Sequence, residues 1–165
     1  LVLTLIFKYI SFQKFEEGLQ NQEIEYVEMD TKPSPLNVIL WSSLIETDKG
    51  FRTAYYSLFD KQEITYSKVF LKNHHLLEPY LEQKVIKQLI DISAGWYRIE
   101  EKNGKLLFWD LRFGQMGMDV NTASFLWYYE LNIDSNGRVS AKKTQPKITN
   151  FKKLFLSLFR RIKGN

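Results

Sequence analysis

The chain has 165 residues, of which 44% are apolar and 25% charged, with 12 Phe, 9 Tyr, 4 Trp and no cysteine. That balance is globular rather than disordered and suits one domain, and the missing cysteine excludes disulfides, thiolate nucleophiles and Cys-based zinc sites. The net charge of +4 comes from the tail, where six Lys or Arg and no acid lie between Pro146 and Asn165; the nearly neutral remainder lacks the basic stripe of a nucleic-acid surface, so no nucleic-acid partner is expected.

The opening run Leu1 to Phe7 is strongly apolar until Lys8 interrupts it. It is too short to cross a bilayer, which takes roughly 20 apolar residues, and it lacks the basic flank and cleavage site of a signal peptide. The economical reading makes it the end of a longer apolar helix; an ordinary buried terminal helix is the alternative. Residues 1–19 are expected to be helical, with Ile6 and Ile10 at helical spacing and Gly18 as the stop. Residues 20–165 are expected to form one soluble domain.

Glu23 to Asp30 alternates apolar and acidic residues and predicts a half-exposed strand. Thr31-Lys32-Pro33-Ser34-Pro35 predicts a stiff, extended connection. Two apolar-aromatic runs, Asn37 to Thr47 and Phe51 to Asp60, flank Asp48-Lys49-Gly50 and predict a hairpin, and Ile64 to Phe70 suggests a further strand. Asn73 is a candidate cap for a turn. Pro79 then suits the start of a helix to Ser93 with Leu81, Val85, Leu89 and Ile92 on its apolar face, closed by Gly95.

Two more hairpins are signalled by Asn103-Gly104, between Trp96 to Lys102 and Lys105 to Arg112, and by Ser135-Asn136-Gly137, between Ser124 to Asp134 and Arg138 to Lys143. A last helix is predicted from Asn150 to Lys163. The sum is an α+β fold: an antiparallel β-meander sheet with one internal helix and helices at both termini.

Candidate chemistry is sparse. His74 and His75 are adjacent, a spacing that seldom ligates one ion, so no metal site is assigned and a cap or loop pair is the better reading. Ser42, Ser43 and Ser57 fall within predicted strands without a nucleophile elbow. Gly114 and Gly117 follow a strand but lack the Gly-Lys-Ser/Thr ending of a phosphate loop. The densest polar group is Asp110 to Gly117. Asp110 and Arg112, two apart on a strand, share a face and either pair or, with Gln115, hold a polar ligand there.

In the last helix Phe151, Leu154, Phe155, Leu158, Phe159 and Ile162 form an apolar stripe, with Lys152, Lys153, Arg160, Arg161 and Lys163 off it. Such a stripe packs on a sheet or lies in a membrane interface with the bases toward anionic headgroups, and the two uses are compatible.

Three segments in order, Thr31 to Trp41 (TKPSPLNVILW), Tyr55 to Asp60 (YYSLFD) and Asp110 to Gln115 (DLRFGQ), resemble motifs of a bacterial family. It comprises the inner-membrane metal-dependent hydrolases, also called LexA-binding, inner-membrane-associated hydrolases. The resemblance spans Gln13 to the C-terminus. It implies a parent protein whose N-terminal membrane helices carry the His and Asp ligands of a divalent metal, with this chain as the C-terminal soluble domain beginning at the end of the last membrane helix. By that reading the chain holds no cofactor of its own. It is an accessory or regulatory domain at the inner membrane, on the cytoplasmic side that the basic tail favours. Lys32, Pro33, Pro35, Asp110, Arg112 and Gln115 are its matching motif positions. The alternative is a small-ligand or substrate-binding module, with Trp109, Trp127 and Tyr128 lining a pocket near Asp110 and Arg112.

Overall fold

The computed structural model describes residues 2–122, 124–147 and 150–164. They form an α+β fold with two antiparallel sheets of four strands each and helices near both ends. The chain divides into two compact units, one of residues 1–69, 117–123 and 148–165, the other of residues 70–116 and 124–147.

In the first unit, helix α1 (Val2–Asn21) covers a meander of β1 (Glu28–Pro33), β2 (Leu40–Glu46) and β3 (Gly50–Ser57). The helix buries Ser11, Phe15 and Leu19, spaced four apart on one face. Phe15 and Leu19 join Trp41, Ile45, Ala54, Tyr56, Ile64 and Tyr66 in the core. Gly18 does not end the helix, contrary to its expected role as a stop. A Cβ at Gly18 would stand 2.6 Å from the Tyr66 hydroxyl, and that hydroxyl donates to the Phe15 carbonyl at 2.6 Å. Glycine is thus a packing residue there, with its helix cost of about 1 kcal/mol offset by a close approach.

The first strand sits later than its alternation suggested. Thr31 to Pro33, read as a connection, pairs with Ser43 to Trp41 as part of β1. Proline is tolerated because β1 has only one neighbour, β2, and Pro33 has no ladder N–H to lose. The turn follows at Ser34 to Ile39, where the Asn37 carboxamide oxygen accepts from the N–H groups of Ile39 and Leu40 at 3.0 and 2.6 Å. The β2–β3 hairpin forms as predicted, Leu44 facing Thr53. Ile64 to Phe70 is not a continuous strand. Tyr66 makes one bridge to Ala54, and next to it the Ser67 hydroxyl accepts from the Thr53 N–H at 2.9 Å, a side chain taking the place of a ladder carbonyl.

Helix α3 (Phe151–Ile162) belongs to the same unit and begins at Asn150, whose side chain accepts from the Lys153 N–H. The Ser57 hydroxyl donates to the Ile162 carbonyl at 2.6 Å. Tyr55 and Ser57 point to the side of β3 opposite Ala54 and Tyr56, so α1 and α3 use opposite faces of the meander.

The second unit opens with β4 (Phe70–Leu71) and a 3₁₀ helix (His74–Tyr80), followed by α2 (Lys84–Ser93). Pro79 lies inside the 3₁₀ helix instead of starting α2, which begins five residues later behind an extended Gln83. The buried face of α2 is also rotated from the expected one. Ile86, Leu89 and Ser93 are buried while Leu81 and Ile92 are exposed. Ala94 and Gly95, both at positive φ, close the helix. A second sheet then runs β5 (Tyr97–Lys102), β6 (Lys105–Gln115), β7 (Phe125–Ile133) and β8 (Val139–Thr144) in chain order. Asn103 and Gly104 turn the first hairpin with φ of 52° and 70°, as a two-residue turn of the favoured hand requires. Leu77, Ile86, Leu89, Tyr97, Ile99, Phe108 and Leu131 form this unit's core.

Candidate functional site

Asp110 and Arg112 meet as their spacing suggested. The Arg112 Nε and Nη2 atoms donate to the two Asp110 oxygens at 3.0 and 2.7 Å, a bidentate pair. Asp110 is buried and its Oδ1 also accepts the Arg112 N–H at 3.2 Å. Hydrogen bonding to Asp110 raises the Arg112 pKa. The strand loses its register between Asp110 and Gln115, where four residues of β6 stand against one of β7, and Gly114 takes a φ of 79°. The carboxylate thus ties down the backbone just before a bulge. Gln115 is buried at the bulge's far end, opposite Phe125.

Of the aromatic residues grouped with this pair, Trp127 shares its side of the sheet but Trp109 and Tyr128 do not. Asp110 faces Trp127 across the ladder, whereas Trp109 faces Tyr128, and alternate residues of a strand point to opposite faces. Trp109 donates to Glu100 at 2.8 Å and lies against Tyr128, with centroids 4.6 Å apart. Trp127 instead carries the Lys143 ammonium 4.0 Å over its ring. A single pocket lined by Trp109, Trp127, Tyr128, Asp110 and Arg112 is therefore not what this strand order builds.

His74 stacks on Tyr97 at 4.0 Å and its Nε2 lies 2.9 Å from the Tyr97 carbonyl oxygen. Among the described residues no three His, Asp or Glu side chains converge as metal ligands. Ser42 contacts the Lys32 carbonyl, Ser43 is buried, and Ser57 serves α3. A shallow, mixed-charge depression of about 280 Å³ near the end of α1 is lined in part by Lys14, Glu17, Tyr56, Asp60 and Glu63. Lys14 pairs with Glu17 across 2.7 Å.

The α3 face is the other candidate, and the structure divides its bases. Arg161 turns inward: its two terminal nitrogens donate to the Asp60 oxygens at 2.6 Å each, and Nη2 also donates to the Tyr55 carbonyl at 2.8 Å. Asp60 is 2% exposed and further accepts the Ser57 N–H. Its place off the apolar stripe makes Arg161 an expected surface base, but its partner lies 101 residues away, beyond the reach of any local signal. Lys152, Lys153, Arg160 and Lys163 are exposed as expected. The apolar stripe also splits, since Leu154, Leu158 and Ile162 are half-buried while Phe151, Phe155 and Phe159 are exposed. Phe59, beside Gly164, is exposed as well.

On α1, Val2, Leu3, Leu5, Ile6, Tyr9 and Ile10 are exposed and fall within an arc of about 160°, on the side of the helix away from the buried Ser11, Phe15 and Leu19. No helix among the described residues is long and apolar enough to cross a membrane. No protein-family model matches the chain, and searches of curated proteins and of solved structures found no match.

Proposed function

We propose that the chain is an accessory domain of a membrane-bound protein, of the metal-dependent hydrolase kind its three motifs resemble. The divalent metal and its chemistry belong to the parent's membrane portion, and the domain stands at the inner membrane on its cytoplasmic side. The observation that carries the membrane part is α1. A helix whose outward face between Val2 and Ile10, an arc of about 160°, exposes apolar side chains suits a hydrocarbon surrounding better than water, while its second half, through Phe15 and Leu19, is built into a polar-surfaced unit.

The accessory part is supported by how the motif residues are spent. Asn37 holds a turn, Asp60 holds α3, and Asp110 holds a strand at its bulge. Each of the two carboxylates faces an arginine fork that engages both of its oxygens, an arrangement that fixes structure.

The test compares this chain with the whole membrane protein. Each is loaded in turn with Mg²⁺, Mn²⁺ or Zn²⁺ and assayed against carboxylic esters, phosphoesters and peptides. Hydrolysis by the whole protein alone is the expected result. Metal-dependent turnover by the isolated chain at a comparable kcat/KM would overturn the accessory reading. In parallel, Leu3→Gln/Ile6→Gln is expected to abolish co-flotation with zwitterionic vesicles, and unchanged flotation would overturn the role given to α1.

A further inference from the structure

We propose that the outward face of α3 is a binding surface for anionic phospholipid headgroups, a second and charge-selective membrane contact. It deepens the membrane reading of α1 but stands on a different helix. At 3.6 residues per turn, Phe151, Phe155 and Phe159 fall within an arc of about 80°, and Lys152, Leu156 and Lys163 continue it, followed by Arg160 and Lys153. All eight of these side chains are exposed. Phe155 and Phe159 lie side by side with centroids 6.4 Å apart. The helix holds no acid, and no acid occurs from Pro146 to the C-terminus.

The occupant follows from charge and shape together. A protein groove would need to bury three outward phenylalanines while neutralising four cations on the same helix. An anionic leaflet does both, taking aromatic rings at the depth of the acyl boundary while its headgroups meet the bases above. Nucleic acid accounts for the bases but leaves the phenylalanine row without an extended hydrophobic partner. Arg161 is the one base of the helix that cannot serve, because it is committed to Asp60. That commitment, with the Ser57 hydroxyl on the Ile162 carbonyl, holds α3 with its phenylalanines outward.

The experiment measures partition of the purified 165-residue chain onto vesicles of phosphatidylcholine alone and with 30% phosphatidylglycerol. Binding is expected to be much tighter on the anionic vesicles and to weaken in high salt. Lys152→Gln/Lys153→Gln/Arg160→Gln should reduce the anionic affinity on the order of 100-fold, taking roughly fivefold for each base near the surface. Phe155→Ser/Phe159→Ser should lower it as well without removing the salt dependence. These positions are exposed, and an unchanged urea midpoint confirms that the variants fold.

Equal affinity for the two vesicle types, or an anionic preference untouched by the triple substitution, would overturn the proposal. So would tighter binding to a single-stranded oligonucleotide at matched phosphate concentration, lost in the same triple variant. The α1 substitutions lower binding to both vesicle types and leave their ratio intact, so failure of α3 and failure of α1 are read on different axes.

Discussion

Asp60→Asn removes one charge from the centre of the α3 attachment while keeping shape and volume. In the native chain that carboxylate receives both Arg161 terminal nitrogens at 2.6 Å and the Ser57 N–H at 2.9 Å. The amide can still accept from Ser57, but it offers a single oxygen to Arg161 and turns an N–H₂ toward a cation. Removing one partner of a fully buried pair costs about 3–5 kcal/mol. Arg161 is 15% exposed and keeps its bond to the Tyr55 carbonyl, so the cost here is roughly 2–3 kcal/mol. That cost has a ceiling, because no α3 side chain is fully buried and the helix can let go before the unit unfolds. The effect should therefore be local. Amide exchange in Leu154 to Ile162 should accelerate at least about thirtyfold, the equivalent of roughly 2 kcal/mol, and trypsin should cut earlier at Lys152, Lys153 and Arg160. Protection in the β2–β3 hairpin should change little. If α3 amides keep their native protection within twofold, the ion pair does not hold the helix and the reasoning fails. Arg161→Lys, which keeps the charge but loses the fork, should fall between the two.

Other substitutions probe the remaining devices. Gly18→Ala ordinarily stabilises a helix by up to about 1 kcal/mol, but here the added methyl meets the Tyr66 hydroxyl, so urea unfolding should show a loss of roughly 1–3 kcal/mol. In a Tyr66→Phe background the clash is gone, and the same change should become neutral or favourable. Arg112→Gln leaves the buried Asp110 without its fork and should cost about 2–4 kcal/mol by equilibrium denaturation, a value under 0.5 kcal/mol refuting the structural role. Burial raises the pKa values of Tyr55, Tyr66 and Tyr97 above their usual 10, and the hydroxyls of Tyr55 and Tyr66 also donate to carbonyl oxygens. Their contribution is complete below pH 10, where both states are protonated, and is lost as pH rises and the unfolded chain ionises first. Stability should thus fall above pH 10 by up to about 1.4 kcal/mol per pH unit for each tyrosine, and Tyr55→Phe/Tyr66→Phe should flatten that limb; a flat alkaline profile in the wild type would refute the assignment.

Local chemistry explains which features the sequence announced. Asn103-Gly104 and Asn150 act through their own backbone neighbourhoods, so the hairpin and the start of α3 could be read directly. The Asp110–Arg112 pair was legible for the same reason, since two residues apart on a strand means one face. What escaped depended on distant residues. Gly18 looks like a stop until Tyr66, far along the chain, is seen to fill the space of its missing methyl. Periodicity gave α3 a stripe of six apolar residues, yet which half turns inward is decided by Asp60, Tyr55 and Ser57. In α2 the spacing of Leu81, Val85, Leu89 and Ile92 finds Leu89 but misses Ile86 and misplaces the face, because helix formation begins only after the extended Gln83 and leaves Leu81 outside.

Two of the four sheet-edge strands, β1 and β8, have a practical consequence for handling the protein. Each has a neighbour on one side only within its sheet, yet β1 carries Lys32 and Pro33, and β8 carries Lys142 and Lys143. Lysines repel a second copy approaching strand to strand, and a proline offers it no N–H. Concentrated samples should therefore resist fibril growth through these borders. Any clumping on storage should begin at the greasy helical surfaces and yield to mild detergent.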